Sequence, residues 1–270
     1  MPHMPGRELR PAVPDAPLLI DLRSFVEAHG EDPRYKLLGK LVRNAHSMVS
    51  IRFDLHRALT TMHLLSDQQT TLAAQRERGK PATESQGLLC SSLFVTALFL
   101  YARAVHSQGR DRSTLDLRGG LPAELRGEHE RILALRDQHF AHYVSGGAWE
   151  DYRVVLVLGD DTMGISYPNE RRLLRAEDAY ALHRLLEHAQ ALTERAYIKA
   201  SNRLNAELNR LFDDDDFADA AGGFRFEPEQ FFTSGEVPGF MDSLNAQNWS
   251  FDAEMKTDFS YRPPPDPSKD

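Results

Sequence analysis

Long runs of helical hydrophobic periodicity limit the fold of this chain more than any other feature. From about residue 32 to residue 66, leucine, valine and methionine recur at spacings of three and four, which predicts an amphipathic helix. Residues 86–106 are apolar on most sides, as expected for a helix at the centre of a bundle. Thr83 and Gln86 have capping-box spacing at the start of this second helix. The polar stretch 70–85 is therefore interpreted as the connection between the two helices.

Two further helices and a short β segment complete the predicted framework. The third helix runs from residue 122 or 123 to residue 143 or 144, where a Ser-Gly-Gly sequence stops it. Residues 152–167 contain two β-prone runs on either side of Gly159-Asp160-Asp161, which predicts a β-hairpin. A long helix follows over about residues 176–211. The predicted fold class is all-α, an antiparallel four- to five-helix bundle with a small β-hairpin insertion.

Both ends of the chain differ in composition from its helical part. Residues 1–17 contain five prolines and no hydrophobic period, and we expect them to be disordered. Residues 213–270 are predicted to be an irregular, acidic and aromatic tail, which leaves residues 18–212 as the bundle. Residues 205–270 carry 15 acidic and 5 basic residues, so they account for more than the whole net charge of −8. The nearly neutral remainder can still hold a local basic cleft.

Cysteine and membrane signals indicate a cytoplasmic protein. The single cysteine, Cys90, lies in an apolar run and excludes a disulfide framework. The longest apolar stretch, residues 93–102, is too short to span a bilayer, and the proline-rich first residues do not resemble a signal peptide. His183 and His188 lie five residues apart, whereas zinc ligands on one helix prefer three or four. We therefore expect no metal, no cofactor and no membrane partner.

The segment LRDQHFAHY, residues 135–143, places charge inside an apolar helical pattern. At about 100° per residue, Arg136 falls near the middle of an apolar sector. A charge that faces a core or an interface has to be paired, because an isolated buried charge is costly. His139 lies beside Arg136, whereas His142 is roughly 120° away around the helix. His142 can approach Arg136 only if the helix frays near Gly146 or if a second copy of the helix supplies the partner.

Two interpretations of this segment remain open at the level of chemistry. In the first, Arg136 pairs with a core carboxylate such as Asp54 or Glu187, and the two histidines are polar surface residues. In the second, the residues cleave RNA without a metal. Histidine titrates near neutral pH and can deprotonate a ribose 2′-hydroxyl. Arginine can bind phosphate oxygens in bidentate fashion and stabilise a charged phosphorane.

The segment from Arg136 to His142 resembles the signature of the HEPN superfamily, an arginine followed after four to six residues by a histidine. Here five residues intervene, and Asp137 fills the usual polar position after the arginine. The stretches LFLYARAVHSQGR (residues 98–110) and HERILALRDQHFAH (residues 129–142) resemble uncharacterised and phage-defence-associated bacterial members. The resemblance covers roughly residues 32–210 and implies a helical homodimer with the two motif helices facing each other across a cleft.

The resemblance also implies an activity, which is RNA cleavage that leaves a 2′,3′-cyclic phosphate. By this resemblance Arg136 and His142 are the expected catalytic residues, and Asp137 is an orienting or electrostatic residue. The expected substrate-binding residues are His139, Tyr101, Arg103, Arg110 and Tyr143. Such a protein would be a toxin or defence effector with RNA as its substrate and an antitoxin or regulatory protein as a further partner.

Several features of this chain keep alternatives open. Tyr143 directly follows the motif histidine, whereas a modifiable tyrosine stands two residues after it in one toxin subgroup, so that regulation is not expected here. Tyr101 and Arg103 can equally be packing residues near the end of a core helix. Arg110 and the nearby loop arginines can be flexible surface groups or phosphate contacts. A catalytically inactive helical dimer that binds nucleotide, RNA or a protein is the second functional hypothesis.

Overall fold

The chain is mostly helical and forms two compact units, as seen in a computed structural model. The residues that the structure describes are 18–106, 115–141, 150–152, 154–158, 163–166, 169–171, 174–213 and 215–245. One unit contains residues 26–213, and the other contains residues 18–25 together with residues 215–245. The predicted disorder of residues 1–17 and the last part of the predicted tail lie outside the described residues.

Helices build the larger unit. The long ones are α2 (Lys36–Glu77), α3 (Glu84–His106), α5 (Ala123–Leu135) and α6 (Ala176–Phe212). The four-residue helix α4 (Leu117–Gly120) precedes α5, and α1 (Leu22–Ala28) precedes α2. The pairs α2–α3 and α2–α6 pack most extensively, and α5 packs against α6. Their shared hydrophobic core includes the fully buried residues Leu55, Phe94, Leu98, Leu125 and Leu185. The all-α class predicted from the hydrophobic periods is confirmed.

The first two predicted helices are confirmed, although α2 is longer than its hydrophobic pattern suggested. It continues to Glu77 through residues that were predicted to be a connection. It ends in a Schellman motif, in which Gly79 N–H donates to the carbonyl of Arg76 and Lys80 N–H donates to the carbonyl of Gln75. The capping box of α3 is also present, since Gln86 Oε1 accepts from Thr83 N–H at 2.9 Å. Polar residues prolong α2 because Gln, Arg and Glu are good helix formers.

Two glycines next to this turn are expected to respond in opposite ways to alanine. Gly79 has a φ of 72°, where a Cβ is strained although open space surrounds it. Gly79→Ala should therefore lower the free energy of unfolding by about 1 kcal/mol. Gly87 lies inside α3, and a Cβ there would contact nothing. Gly87→Ala should raise the free energy of unfolding by up to about 1 kcal/mol. Urea titration of both variants checks the pair, and a loss of stability in both would contradict it.

Two short antiparallel strand pairs separate α5 from α6. β2 (Val155–Leu158) pairs with β3 (Met163–Ser166), with Val155 opposite Ser166, which confirms the strands of the predicted hairpin. The Gly159-Asp160-Asp161 turn lies outside the described residues. β1 (Glu150–Tyr152) and β4 (Asn169–Arg171) form a second pair that the sequence analysis did not predict.

The smaller unit joins two distant parts of the sequence. Ile20 forms an antiparallel bridge with Arg225, flanked by the hydrogen bonds Asp21 N–H to Phe224 O (2.8 Å) and Phe226 N–H to Leu19 O (2.9 Å). Three short helices follow one another in its C-terminal part, namely α7 (Asp215–Gly222), α8 (Pro228–Phe231) and α9 (Val237–Asn245).

The tail was predicted to be irregular, and this is wrong over residues 215–245. Its helices are four to nine residues long, too short for hydrophobic periodicity to be read over a window of about 11 to 18 residues. The sequence-based boundaries also placed residues 18–25 with the bundle, whereas they group with the C-terminal segment. Phe25 shows the reason, because its ring packs edge-on against Phe217 and Phe224 with centroid distances of 5.5 Å.

Among the described helices, α3 alone has the length and composition that would let it cross a membrane. Half of its most apolar window is buried inside the protein, and the central helix of a hydrophobic core has the same property. Its buried residues include Phe94, Leu98 and Tyr101, all of which belong to the shared core.

Candidate functional site

The helix that carries the Arg-His motif changes its winding at the first motif residue. The third helix was predicted to be α-helical to residue 143 or 144, but the α-helix ends at Leu135 and residues Arg136–Ala141 form a π-helix. In a π-helix the hydrogen bonds join residues five apart, so the predicted angle of about 100° per residue does not hold there. Asp and His are among the weaker α-helix formers, so the energetic preference for regular winding in RDQHFA is small. Single π-turns are frequently found at functional sites.

Arg136 follows the buried face of α5. That face consists of Leu125, His129, Ile132 and Leu135, at spacings of four and three. The Arg136 side chain is only 22% exposed, as its position in the apolar sector predicted. Its Nη1 lies 2.9 Å from Asp137 Oδ1. Its Nε is buried and has no hydrogen-bond partner among the described residues. A buried donor without a partner costs stability, so an acceptor that reached Nε would stabilise it.

The structure gives different neighbours to the two core carboxylates considered as partners of Arg136. Asp54 on α2 is buried and binds Arg103, whereas Glu187 on α6 lies 3.6 Å from His183 Nε2. The ion-pair partner that the structure gives Arg136 is the adjacent Asp137, whose side chain is about half exposed. Asp137 can therefore orient the guanidinium, as expected from the motif.

Part of the predicted site lies beyond the described residues. The backbone of His139 belongs to the π-helix, but its side chain is outside the described part of the chain. His142, Tyr143 and Arg110 lie in segments that the structure does not describe. The roles expected of these four residues therefore stay predictions.

Tyr101 and Arg103, which were predicted to contact substrate, both have partners inside the protein. Tyr101 is fully buried, and its hydroxyl lies 2.7 Å from His129 Nδ1. No surface of Tyr101 is left for a substrate. Arg103 binds Asp54 through two guanidinium nitrogens, with Nε 2.9 Å from Oδ2, and these hydrogen bonds raise the pKa of Arg103. Arg103 thus connects α3 to α2, although half of its side chain remains exposed.

The Tyr101–His129 pair is a buried polar contact that the sequence analysis missed. The rings are nearly perpendicular, with an interplanar angle of 82°. Burial raises the pKa of Tyr101, so the hydroxyl keeps its proton. Burial also lowers the pKa of His129, to which the nearby Arg118 and His106 add, whereas Glu130 opposes the shift. The available signal was the helical spacing that aligns His129 with Leu125 and Ile132.

His129 borders a cavity of about 590 Å³ at the C-terminal end of α3. Its apolar lining consists of Val105, Leu115 and Leu117. Its polar lining consists of His106, Asp116, Arg118 and His129. This volume falls within the range of small-molecule sites, and few polar groups on an apolar wall are typical of such sites.

A second groove of about 450 Å³ lies between α2 and the start of α6. There the rings of His63 and His183 are 5.5 Å apart between centroids, and Tyr180 beside them is 67% exposed. Within the described part of the chain, no three His, Cys, Asp or Glu side chains are grouped in a way that suits a metal ion.

The stability of the fold is expected to decrease below about pH 6.5 because of His129. Its pKa is lowered in the folded chain, so the unfolded chain binds more protons between the lowered pKa and the ordinary one. The contribution of His129 is therefore complete above the ordinary pKa and is lost as the pH falls through the lowered pKa. His129→Gln should flatten this decline when the free energy of unfolding is measured by urea titration at several pH values. An equally steep decline in wild type and variant would assign the effect to other groups.

Comparison with family models, with curated proteins and with solved structures gives no match to this chain. The likeness to the HEPN superfamily therefore depends on the motif residues and on the order of the predicted elements.

Proposed function

We propose that this protein is a metal-independent endoribonuclease of the HEPN type, which acts in the cytoplasm at the Arg136 motif. The observation that carries the proposal is the state of Arg136. It is mostly buried within a π-helix, Asp137 holds one of its terminal nitrogens, and its Nε lacks a partner among the described residues. An arginine of this kind can bind a phosphate oxygen, because its guanidinium has donors beyond the one that Asp137 holds.

The proposed reaction is an internal transfer within RNA. His142 removes the proton from a ribose 2′-hydroxyl, and the resulting oxygen attacks the adjacent phosphorus. The bond from phosphorus to the 5′-oxygen breaks, and that oxygen leaves as a hydroxyl after it takes a proton from solvent. The products are a 2′,3′-cyclic phosphate and a 5′-hydroxyl end. Arg136 stabilises the additional negative charge of the phosphorane.

Asp137 has a positioning role in this proposal. Its carboxylate contacts Nη1 of Arg136 at 2.9 Å, which restricts the rotation of the guanidinium. The remaining guanidinium nitrogens can then meet two phosphate oxygens in a fixed geometry. A homodimer, implied by the HEPN resemblance, would supply a second copy of the motif at the same cleft. We propose this assembly together with a role as a toxin or defence effector that an antitoxin or regulatory protein controls.

A catalytically inactive helical dimer that binds nucleotide, RNA or a protein is the second candidate. It is favoured by the observation that two residues predicted to contact the substrate form bonds within the protein. Tyr101 is buried against His129, and Arg103 binds Asp54. In that case Arg136, held by Asp137, would bind an anion without turnover.

Incubation of the purified chain with RNA in the presence of EDTA separates these two functions. Labelled tRNA and an unstructured RNA serve as substrates, and the new ends are analysed for cyclic phosphate. We expect cleavage of at least one RNA with 2′,3′-cyclic phosphate ends. A folded, dimeric protein that cuts neither RNA would remove the nuclease proposal, and RNA binding measured on the same sample would then test the second candidate.

A further inference from the structure

The cavity beside His129 contains groups that suit an anion attached to an apolar moiety. It lies where three segments meet, namely the last turn of α3, the residues leading into α4 and the middle of α5. Val105 and His106 come from α3, and His129 comes from α5. The segment before and within α4 supplies the remaining lining residues. Because three elements contribute, the cavity is not a groove along one helix.

The hydrogen bond between Tyr101 and His129 affects how His129 can meet a ligand. Tyr101 keeps its proton, so its hydroxyl can donate to Nδ1 of a neutral His129 at 2.7 Å. The other nitrogen of a neutral imidazole, Nε2, then carries the hydrogen and is a donor. His129 is only 8% exposed and lines the cavity, so Nε2–H is the polar group that it can offer to a molecule there. In this tautomer His129 can bind an acceptor through Nε2.

A guanidinium on the cavity wall can bind an anion. Arg118 is the cationic residue and Asp116 the acidic residue among the described lining. Asp116 already accepts a hydrogen bond from Gly119 N–H at 3.1 Å. Arg118 pairs with Glu130 at 3.0 Å, but both side chains are well exposed. An exposed ion pair is worth little, so Arg118 can exchange Glu130 for a ligand at small cost.

We propose that this cavity binds a small phosphomonoester, whose phosphate contacts Arg118, His106 and Nε2 of His129 and whose organic part packs on Val105, Leu115 and Leu117. Arginine and two imidazoles can donate to several phosphate oxygens at once. A carboxylate or an alcohol has fewer oxygens that can accept these hydrogen bonds. The apolar side of the cavity excludes water from the organic part.

This site is separate from the Arg136 motif and does not depend on the proposed nuclease activity. His129 and Arg136 lie on the same face of the helix but seven residues apart, which is about 10 Å along an α-helical axis. The cavity adjoins the C-terminal turn of α3, at Val105 and His106. Its ligand would therefore be a second, non-reacting molecule in the same protomer.

Titration of the full chain with phenyl phosphate, followed by NMR of the histidine side chains, tests the proposal. We expect the resonances of His129 and His106 to shift, whereas those of the exposed His46 and His56 on α2 stay in place. Phenol and inorganic phosphate are titrated separately, and each should bind more weakly than phenyl phosphate. If phenol binds as tightly as phenyl phosphate, the site recognises only the apolar group and the proposal is wrong. If inorganic phosphate binds as tightly as phenyl phosphate, the apolar wall does not contribute to ligand binding and the proposed phosphomonoester is wrong.

Two variants provide a matched comparison. Arg118→Ala should weaken phenyl phosphate binding about tenfold or more, since it removes a charge-assisted contact. Glu130→Gln breaks the same Arg118–Glu130 ion pair but keeps the arginine, so affinity should be unchanged or slightly higher. Equal affinities of wild type and Arg118→Ala would overturn the proposal. So would unchanged His129 resonances at millimolar phenyl phosphate.

Discussion

Arg136→Ala is expected to slow RNA cleavage by about two to three orders of magnitude, with the fold intact. Removal of one preorganised donor that stabilises transition-state charge typically has an effect of this size. Arg136→Lys should retain a small part of the activity, because lysine keeps the charge and loses the planar, bidentate geometry. The measurement is the single-turnover rate on the most reactive RNA, with EDTA present, together with the melting temperature and oligomeric state of each variant.

Arg52 offers a suitable control for this prediction. It is partly buried, with 33% of its side chain exposed, and its Nε lies 2.9 Å from Glu194 Oε2. Arg136 has a similar exposure and the same distance to its carboxylate partner. Arg52→Ala should leave the cleavage rate within about twofold, because the residue lies outside the motif. If Arg136→Ala and Arg52→Ala cut RNA equally fast, Arg136 has no part in the reaction.

Arg131→Ala should lower the free energy of unfolding by about 3 kcal/mol. Asp178, in the first turn of α6, is completely buried and forms an ion pair with Nη1 of Arg131 on α5. Arg175 is less favourably placed, with its Nε 3.8 Å from Asp178. Loss of Arg131 leaves a buried carboxylate with incomplete compensation, which is the costly way to break such a pair. Arg131 is itself about half exposed, and solvent screening places the loss at the lower end of the usual range.

A second substitution tests whether the buried charge is the cause. Asp178→Asn in the Arg131→Ala background removes the charge and should recover part of the lost stability. Arg34→Ala is the control, because the Arg34–Asp32 pair is close in sequence and more exposed, so its loss should lower stability much less than the loss of Arg131. Urea titration gives all four values. If Arg131→Ala alone lowers the free energy of unfolding no more than Arg34→Ala does, Arg131 does not compensate the charge of Asp178.

The sequence predicted best those elements whose signals are local and repeated. α3 and α6 have many apolar residues at helical spacing, and the capping residues Thr83 and Gln86 lie only three positions apart. The strands β2 and β3 were likewise marked by a change of period around a turn sequence. In each of these cases neighbouring residues in the chain determine the outcome.

The parts that could not be predicted depend on contacts between distant residues or on a small change in winding. The Arg103–Asp54 and Tyr101–His129 pairs join residues 49 and 28 positions apart, so they depend on how the helices are aligned. The π-helix at Arg136 shifts the backbone register without altering the apolar pattern that precedes it. The motif thus indicated the position of the candidate site, whereas the bonds within it depend on how the helices are arranged in the folded chain.

The bridge between Ile20 and Arg225 has a consequence for the order of events during protein synthesis. Residues 19–21 leave the ribosome about 200 residues before their backbone partners at 224–226, which corresponds to some 10 to 40 s at common elongation rates. The helices between them can collapse meanwhile, because their contacts become available sooner. Nascent chains stalled before residue 224 should therefore contain a protease-resistant helical core and an accessible N-terminal segment.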